Sequence, residues 1–532
     1  MEQETAILNV SHQSKSTVFS IISLLLLIVA AIALILISGC DSEQARIINS
    51  PTGTPDLSVS DVQTLLAQAI DAAEQIGAVV TVAVVDREAN VLGVFRMTGT
   101  TDANVFDTTF GAIAKARTAA YLSSNQHAFS TLTACYITRP HFPPGVENAP
   151  GGPLYGVPYS SIGDGDIMPN GDIAAAKPAI GAPGLTGVPG GIPIFKDGRL
   201  AGGIGISGGE LNLSFVTCQG TSQDEQIALA AVGGYRVADE LRGDRIFIDG
   251  ILFLYANAED PQLIFNLTFA DLASRGIVDA QFPIRPTPTQ KFAIEGEVNL
   301  DPAFDFRIKD GSILTAQEVK QIIDQAVVQA NKTRAAIRRP LGSAARVFVT
   351  VCDVDGTILG IWRTPDATLF SFDVSAQKAR TVVAYSRTNH PLGLYIRSIL
   401  GLPTFRPLSV TCRALGFLSQ DFYPPGIDQE TQGREVAPGP LYEGPEFGLQ
   451  QNMDLNPFGN GITIFPGGVA LYKNGAIVGG IGVSGDGVDQ DDIISYAGTE
   501  GFRPHDSVRC DQFFYDGIRL PYVKFPRRPE IE

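Results

Sequence analysis

The stretch "GGIGISGG", Gly202 to Gly209, carries the Gly-x-Gly-x-x-Gly spacing that cradles a dinucleotide pyrophosphate when it joins a strand to a helix. The pattern returns as "GGIGVSGD" from Gly479 to Asp486. In both places the glycines sit inside the second strand of an antiparallel hairpin, turned by Asp197-Gly198 in one and by Asn474-Gly475 in the other. A phosphate loop must open a helix, so this chemistry is excluded. Glycine at strand positions lets another backbone or a ligand come close, and Gly203, Gly205, Gly480 and Gly482 are candidates for either role.

Paired cations form the second constellation: Lys115 with Arg117, and Lys378 with Arg380. Cations at a helix start are mildly unfavourable against the helix dipole. They therefore point to a bound carboxylate, or to a structural ion pair with Asp86 and Asp353. Arg96 and Arg363 end matching strands and join the same cluster. Asp224, Glu225, Asp491 and Asp492 lead the last helix of each unit, where carboxylates stabilise the positive end. His127 and His141 are candidate metal ligands without counterparts in the second unit, since Asp421 stands in the place of His141. No Ser/His/Asp order, paired-carboxylate motif or P-loop stands out.

The elements that must position these residues are written twice. "LSVSDVQTLLAQAIDAA" from Leu57 pairs with "LTAQEVKQIIDQAVVQA" from Leu314, and "VTVAVVDREANVLGVFRM" from Val80 pairs with "VFVTVCDVDGTILGIWRT" from Val347. The order continues with "AKARTAAYLSSNQ" from Ala114 and "QKARTVVAYSRTN" from Gln377, then with the two glycine hairpins. Each unit reads as a helix capped near its start (Ser60 in the first), a hairpin, the "KART" helix, a long loop, the glycine hairpin and an acid-led helix. The long loops share a Pro-Pro-Gly and a later Pro-Leu-Tyr, which makes them either rigid caps or lids whose Tyr155 and Tyr442 face a pocket.

A net charge of -17 argues against nucleic acid, and the only basic cluster is the short tail "KFPRRPE". The apolar run from Val18 to Ile37 ends in Ile-Ser-Gly-Cys, which resembles a bacterial lipobox and implies cleavage before Cys40, lipidation of that cysteine and export. An uncleaved membrane anchor is the other reading, and both place the rest outside the cytoplasm. Five further cysteines leave at least one thiol free if the others pair.

The "VAVVDREANVLGVFRM" hairpin, the "KARTA" helix and "PGGIPIFKDGRLAGGIGISGG" with its following "DEQIA" together resemble the GlcG/HbpS-like family of haem-binding and haem-degrading proteins. The resemblance implies an α/β (α+β) fold, each of the two tandem domains a five-stranded antiparallel sheet flanked by helices, assembled into homo-oligomers, and the duplication by itself lets the two copies pair within one chain. It also implies haem as a possible ligand, with the paired cations placed to hold its propionates. Haem-binding relatives use a histidine of the early helix, and neither 57–73 nor 314–330 contains one. The expected organisation is a signal peptide over 1–39, a tether over 40–56, domains over 57–256 and 313–520, a linker over 257–312 and a tail over 521–532. The expected function is an exported, lipid-anchored, periplasmic or outward-facing protein that binds haem or another small acidic ligand. An enzyme acting on haem or a 2-hydroxy acid, and a structural envelope module, are the alternatives.

Overall fold

The computed structural model describes residues 55–107, 109–146, 149–155, 185–259, 261, 263–300, 305–426, 437–442, 462–526 and 529–531. Cys40 and the apolar leader lie outside the described residues, among which no helix is long and apolar enough to cross a membrane.

In each unit, β-branched runs around short turns give the strands. "TVAVVD" forms β1 (Thr81–Asp86) and "VLGVFRM" forms β2 (Val91–Met97). β3 (Gly191–Lys196) and β4 (Arg199–Ser207) meet at Asp197 and Gly198, whose φ of 52° and 72° are the left-handed values that an Asp-Gly turn supplies. β1 lies at the centre, with β4 on one side (Val85 opposite Gly203) and β2 on the other. The fifth strand, β9 (Gly276–Val278), pairs with β2, giving the antiparallel order β3-β4-β1-β2-β9.

The second sheet repeats this from β11 (Phe348–Cys352), β12 (Ile358–Arg363), β13 (Gly468–Lys473), β14 (Ala476–Ser484) and β10 (Gly296–Glu297), in the order β10-β12-β11-β14-β13. The 257–312 stretch, read from sequence as a linker, thus supplies the outer strand of both sheets.

The helices of the first unit are α1 (Val59–Ile76), α2 (Asp102–Phe106), α3 (Ala112–Tyr121), α4 (Thr131–Ile137) and α5 (Gln223–Ala231). Those of the second are α6 (Ala316–Lys332), α7 (Phe370–Ser386), α8 (Pro391–Ile399), α9 (Cys412–Leu418) and α10 (Val488–Gly498). The cap of α1 is Ser58 rather than Ser60, because Asp61 three residues on closes a capping box with Ser58. The loops read as structureless hold α4 in one unit and α8 and α9 in the other.

α3 and α7 are the "KART" helices, and every residue of both is buried. One face of each lies on its own sheet. The other helps to build a core shared by the two units, in which Ala116 and Ala120 of α3 belong to the same cluster as Phe348, Phe372 and Ala379. Thr54–Glu532 accordingly packs as one unit.

The duplication runs further than the sequence match. After α5, a pair of single turns leads to the hairpin β7 (Phe247–Ile248) and β8 (Ile251–Leu252); after α10, equivalent turns lead to β15 (Phe514–Tyr515) and β16 (Ile518–Arg519). Ala128 N–H donates to Leu241 O at 2.7 Å, and Ser409 N–H donates to Val508 O at 2.6 Å. The helix caps Ser130 and Thr411 each donate a hydroxyl to the carbonyl of an equivalent tyrosine, Tyr255 and Tyr522. Arg242 stacks over Tyr255 at 4.9 Å and Arg509 over Tyr522 at 4.4 Å.

Among the described residues the hairpin β5 (Leu211–Ser214) and β6 (Gln219–Ser222), fastened to α4 by the disulfide Cys135–Cys218, occurs in the first unit and not in the second. Cys352, Cys412 and Cys510 are free and buried.

The glycines decide how close helix and sheet can come. A Cβ on Gly205 would stand 2.0 Å from Ala112 O, and one on Gly482 would stand 2.0 Å from Ser375 O. Gly203 and Gly480 meet α3 and α7 in the same way, at 2.2 Å from Ala116 O and 2.4 Å from Ala379 O. Backbone on one side and strand on the other leave no room to relax. Gly205→Ala should therefore cost about 3 kcal/mol in denaturant unfolding. Gly198→Ala, where the new Cβ meets nothing within 4 Å, should cost only about 1 kcal/mol from its positive φ.

Candidate functional site

The cations of the "KART" helices point inward. Lys115 Nζ lies 2.7 Å from Asp224 Oδ2, and Lys378 Nζ lies 2.8 Å from Asp491 Oδ2, with all four side chains nearly or fully buried. The expected partners Asp86 and Asp353 are thus replaced by the acids at the head of α5 and α10. The reason is geometric: Gly190 and Gly467, at the start of the glycine hairpins, pack against both members of each pair and bring helix and acid together. Asp86 instead takes Asn90 and Gln290 as partners, and burial pushes its carboxyl up to about 7. Asp353 holds Ser312. Lys378 sits in the middle of α7 rather than at its start, so the dipole argument does not reach it.

Arg96 pairs with Asp102 at 2.8 Å and Asp279 at 3.3 Å on the rim of the first sheet. Arg363 donates to the Ala293 and Ala367 carbonyls beneath the Phe348 ring, and burial lowers its pKa to about 9. Arg117 is buried in α3, and Arg380 donates to Gly356 O at 2.7 Å. Arg96 lies on the rim of the first sheet with its own two aspartates, not in the buried Lys115–Asp224 and Lys378–Asp491 pairs.

Four residues that the sequence did not single out bind the seam between the units. Arg87 reaches Asp366 at 2.6 Å, and Arg338, fully buried, holds Asp486 at 3.1 Å, Ser124 Oγ at 3.1 Å and the Asp366 carbonyl at 3.2 Å. His127 stands beside them with both nitrogens engaged: Nε2–H donates to Leu122 O at 3.0 Å, so Nδ1 accepts from Ser124 Oγ at 2.9 Å. Burial drops its pKa to about 3, so it stays neutral. His141 Nδ1 faces Ala149 O at 3.0 Å, while Nε2 faces Asp421 at 3.2 Å across the seam. The two histidines thus serve separate contacts. Among the described residues no group of three or more His, Cys, Asp or Glu is placed to hold a metal.

The His141–Asp421 contact marks where the two Pro-Pro-Gly loops meet. Gly151 N–H donates to Gln420 Oε1 at 2.7 Å beside it, and a cavity of about 470 Å³ opens there. One wall is Phe142, the Pro150–Pro153 turn and Tyr155 of the first unit; the other is Arg413 and Phe417 of α9, with Gln420, Phe465 and Lys524. Tyr155 thus lines this cavity. Tyr442 is half-buried in the second unit's core and is not part of this wall. Arg413 is fixed by Asp492 and by Asp489 at 2.6 Å, and Lys524 by Asp489 at 2.7 Å. The sequence offered one signal for this wall, since Lys524 belongs to the single basic tail. Arg413 sits on a helix of seven residues, too short to show periodicity, and Gln420 lies just beyond its end.

A model of the family described as haem degrading protein HbpS-like matches residues 57–233 and 314–500. The corrinoid adenosyltransferases PduO of Salmonella typhimurium and Citrobacter freundii are 29% and 28% identical over 159 residues, 30% of this chain and 33% of each of theirs. The chain thus spans about a third of the length of these curated relatives. Solved structures with similarity include a PduOC–haem complex (23% identity, TM-score 0.19, 36% of this chain and 95% of that one) and HbpS (20%, 0.20, 36% and 93%). The Klebsiella pneumoniae protein ORFY is similar at 20% identity, with a TM-score of 0.21 over 36% of this chain and 93% of that one.

Two predictions follow from the buried charges. Lys115→Met strands Asp224 without its cation and should cost about 3 kcal/mol, and adding Asp224→Asn should restore more than half of that loss in urea unfolding. Glu225 accepts N–H bonds from Asn257 and Ala258, and burial pushes its carboxyl from 4.5 up to about 7. The folded chain holds that proton more tightly than the unfolded chain, so this stabilisation is full below pH 4.5 and is lost as pH rises through about 7. Glu225→Gln should therefore melt higher than the native chain at pH 8, with the gap closing by pH 4.5.

Proposed function

We propose, from the premise that this chain belongs to the HbpS-like family in two tandem copies, that it binds haem or a similar planar acidic ligand in the cavity at the seam. The observation that carries this reading is the composition of that cavity. Its volume of about 470 Å³ falls in the range of small-molecule sites, and both copies contribute to its walls. Phe142, Phe417 and Phe465 give apolar faces for a flat macrocycle, while Arg413 and Lys524 stand at one end, where propionates need cations. Tyr155 is the one described lining side chain, other than carboxylates, of a type that ligates haem iron. The fit is thus met by residues other than the early-helix histidine of haem-binding relatives. One similar solved structure is a PduOC–haem complex, and the matching family is described as haem degrading.

We place the working protein outside the cytoplasm, held by a lipid on Cys40 after removal of residues 1–39. The lipobox supports this, and so does the Cys135–Cys218 disulfide, a bond that persists in oxidising compartments. Metabolic labelling with a palmitate analogue checks the anchor: label should enter the native chain and be absent from Cys40→Ser.

Haem titration of the purified full chain tests the site. A saturable Soret band at one haem per chain is expected, with Tyr155→Phe shifting that band and Arg413→Gln weakening affinity about tenfold or more. A spectrum that stays that of free haem at every ratio would remove haem from the reading.

A further inference from the structure

The two copies differ on one surface, and that difference assigns a further site, in a cleft that shares Arg413, Phe417, Pro521 and Lys524 with the seam cavity. In the first copy, α4 and the segment after β8 are covered by the β5–β6 hairpin: Leu213 packs with Leu132, Tyr136 and Leu254 around the Cys135–Cys218 bond, and Arg139 donates to Phe215 O at 3.0 Å. The parallel bonds from Ser130 to Tyr255 and from Thr411 to Tyr522 fix the equivalent positions in the second copy. Counting from them, Leu132, Tyr136 and Leu254 correspond to Arg413, Phe417 and Pro521. In the second copy β14 passes through Gly485 directly into α10 at Val488, so among the described residues no hairpin equivalent to β5–β6 covers them. An open cleft of about 660 Å³ stands there instead.

Its walls are not a bare copy of the covered surface. Leu252 and Asn257 of the first copy are replaced by Arg519 and Lys524, which together with Arg413 bring three cations to a face whose counterpart carries none at those positions. Arg519 and Lys524 remain 60% and 49% exposed although each touches an aspartate. Phe525, 58% exposed, stands edge-on to Tyr496 at 5.4 Å on the rim. On a chain of net charge -17 this face gathers Arg413, Arg509, Arg519 and Lys524 beside two aromatic rings. The segment that builds most of it, Arg509 to Phe525, lies beyond the family match ending at residue 500.

We propose that this cleft docks an extended acidic segment of a partner polypeptide, which takes in trans the place that β5–β6 takes in the first copy. An aliphatic side chain sits against Phe417 and Pro521 where Leu213 sits on Tyr136 and Leu254. A carboxylate lies between Arg519 and Lys524. Polypeptide is the favoured occupant because polypeptide is what the equivalent surface carries. The carboxylate follows from the exchange of leucine and asparagine for two exposed cations.

The probe is a fluorescein-labelled peptide of Glu210–Gln223 with Cys218→Ser and Asn212→Asp, closed head to tail through a D-Pro-Gly turn. Its two ends already face each other, since Gln223 N–H donates to Glu210 O at 3.0 Å. Fluorescence anisotropy against the full chain should saturate below millimolar concentration. Affinity should fall about tenfold or more in Arg519→Glu/Phe525→Ser, whose side chains are exposed and line only this cleft, and equally when the peptide carries Leu213→Asp. No saturation, or affinity unchanged by both changes, would overturn the proposal. A haem titration of Arg519→Glu/Phe525→Ser keeps the two readings apart: an unaltered Soret response with lost peptide binding shows two sites, and a lost response makes the cleft part of the haem site instead.

Discussion

Everything in this structure depends on a helix backbone resting directly on a glycine-bearing strand. At Gly203 and Gly205, and again at Gly480 and Gly482, a single methyl group would collide with a helical carbonyl. Ordinary helix-on-sheet packing keeps the two layers apart by the length of interleaved side chains. Here the gap is closed, so α3 and α7 sink into the sheet and their outer faces become available to the other copy. A helix buried on all sides cannot leave a lysine unpaired. Lys115 and Lys378 are tolerable only because Asp224 and Asp491 come to them, and those acids come from the next helix past the glycine strand. The glycine spacing, the buried pair and the shared core are thus one arrangement.

That arrangement explains what the sequence disclosed. Hairpins announce themselves locally: Asp197-Gly198 and Asn474-Gly475 adopt the left-handed values their type predicts, and the strands beside them end where the polar turn residues begin. The rejection of a phosphate loop rested on the same local logic and agrees with glycines that lie against α3 and α7. Partner choice was not local. Asp86 and Asp224 are both plausible for Lys115 on charge alone, and only strand register and the approach at Gly190 decide between them. The seam arginines Arg87 and Arg338 were invisible for a related reason, since their partners are Asp366 and Asp486, far away in the chain. The appended turns and two-residue strands after each acid-led helix are too short to show any periodicity, and Arg413, on a helix of seven residues, went unnoticed for the same reason.

Duplication within one chain also frees the two copies from identity. A homodimer repeats every residue on both sides of its axis, so a gain on one face is imposed on the other. In this chain the seam joins His141 to Asp421 and Gly151 to Gln420, contacts between unlike residues. One loop can supply Tyr155 and the turn backbone while the opposite helix supplies Arg413. That asymmetry suits a ligand with one apolar and one charged end, which a symmetric pocket would bind in two equivalent orientations.

The same freedom bears on stability. The first copy closes its α4 surface with a hairpin and a covalent bond, and the second leaves that surface open, faced with cations and an exposed phenylalanine. Arg413 needs two aspartates to stay in place, and Asp492, also fully buried, has its carboxyl raised by burial despite that contact. Burying the Asp492 carboxylate beside Arg413 carries a desolvation cost that the leucine and disulfide of the first copy do not. A surface maintained at that cost, beside a closed version of itself in the same chain, is better explained by what binds there than by what folding requires.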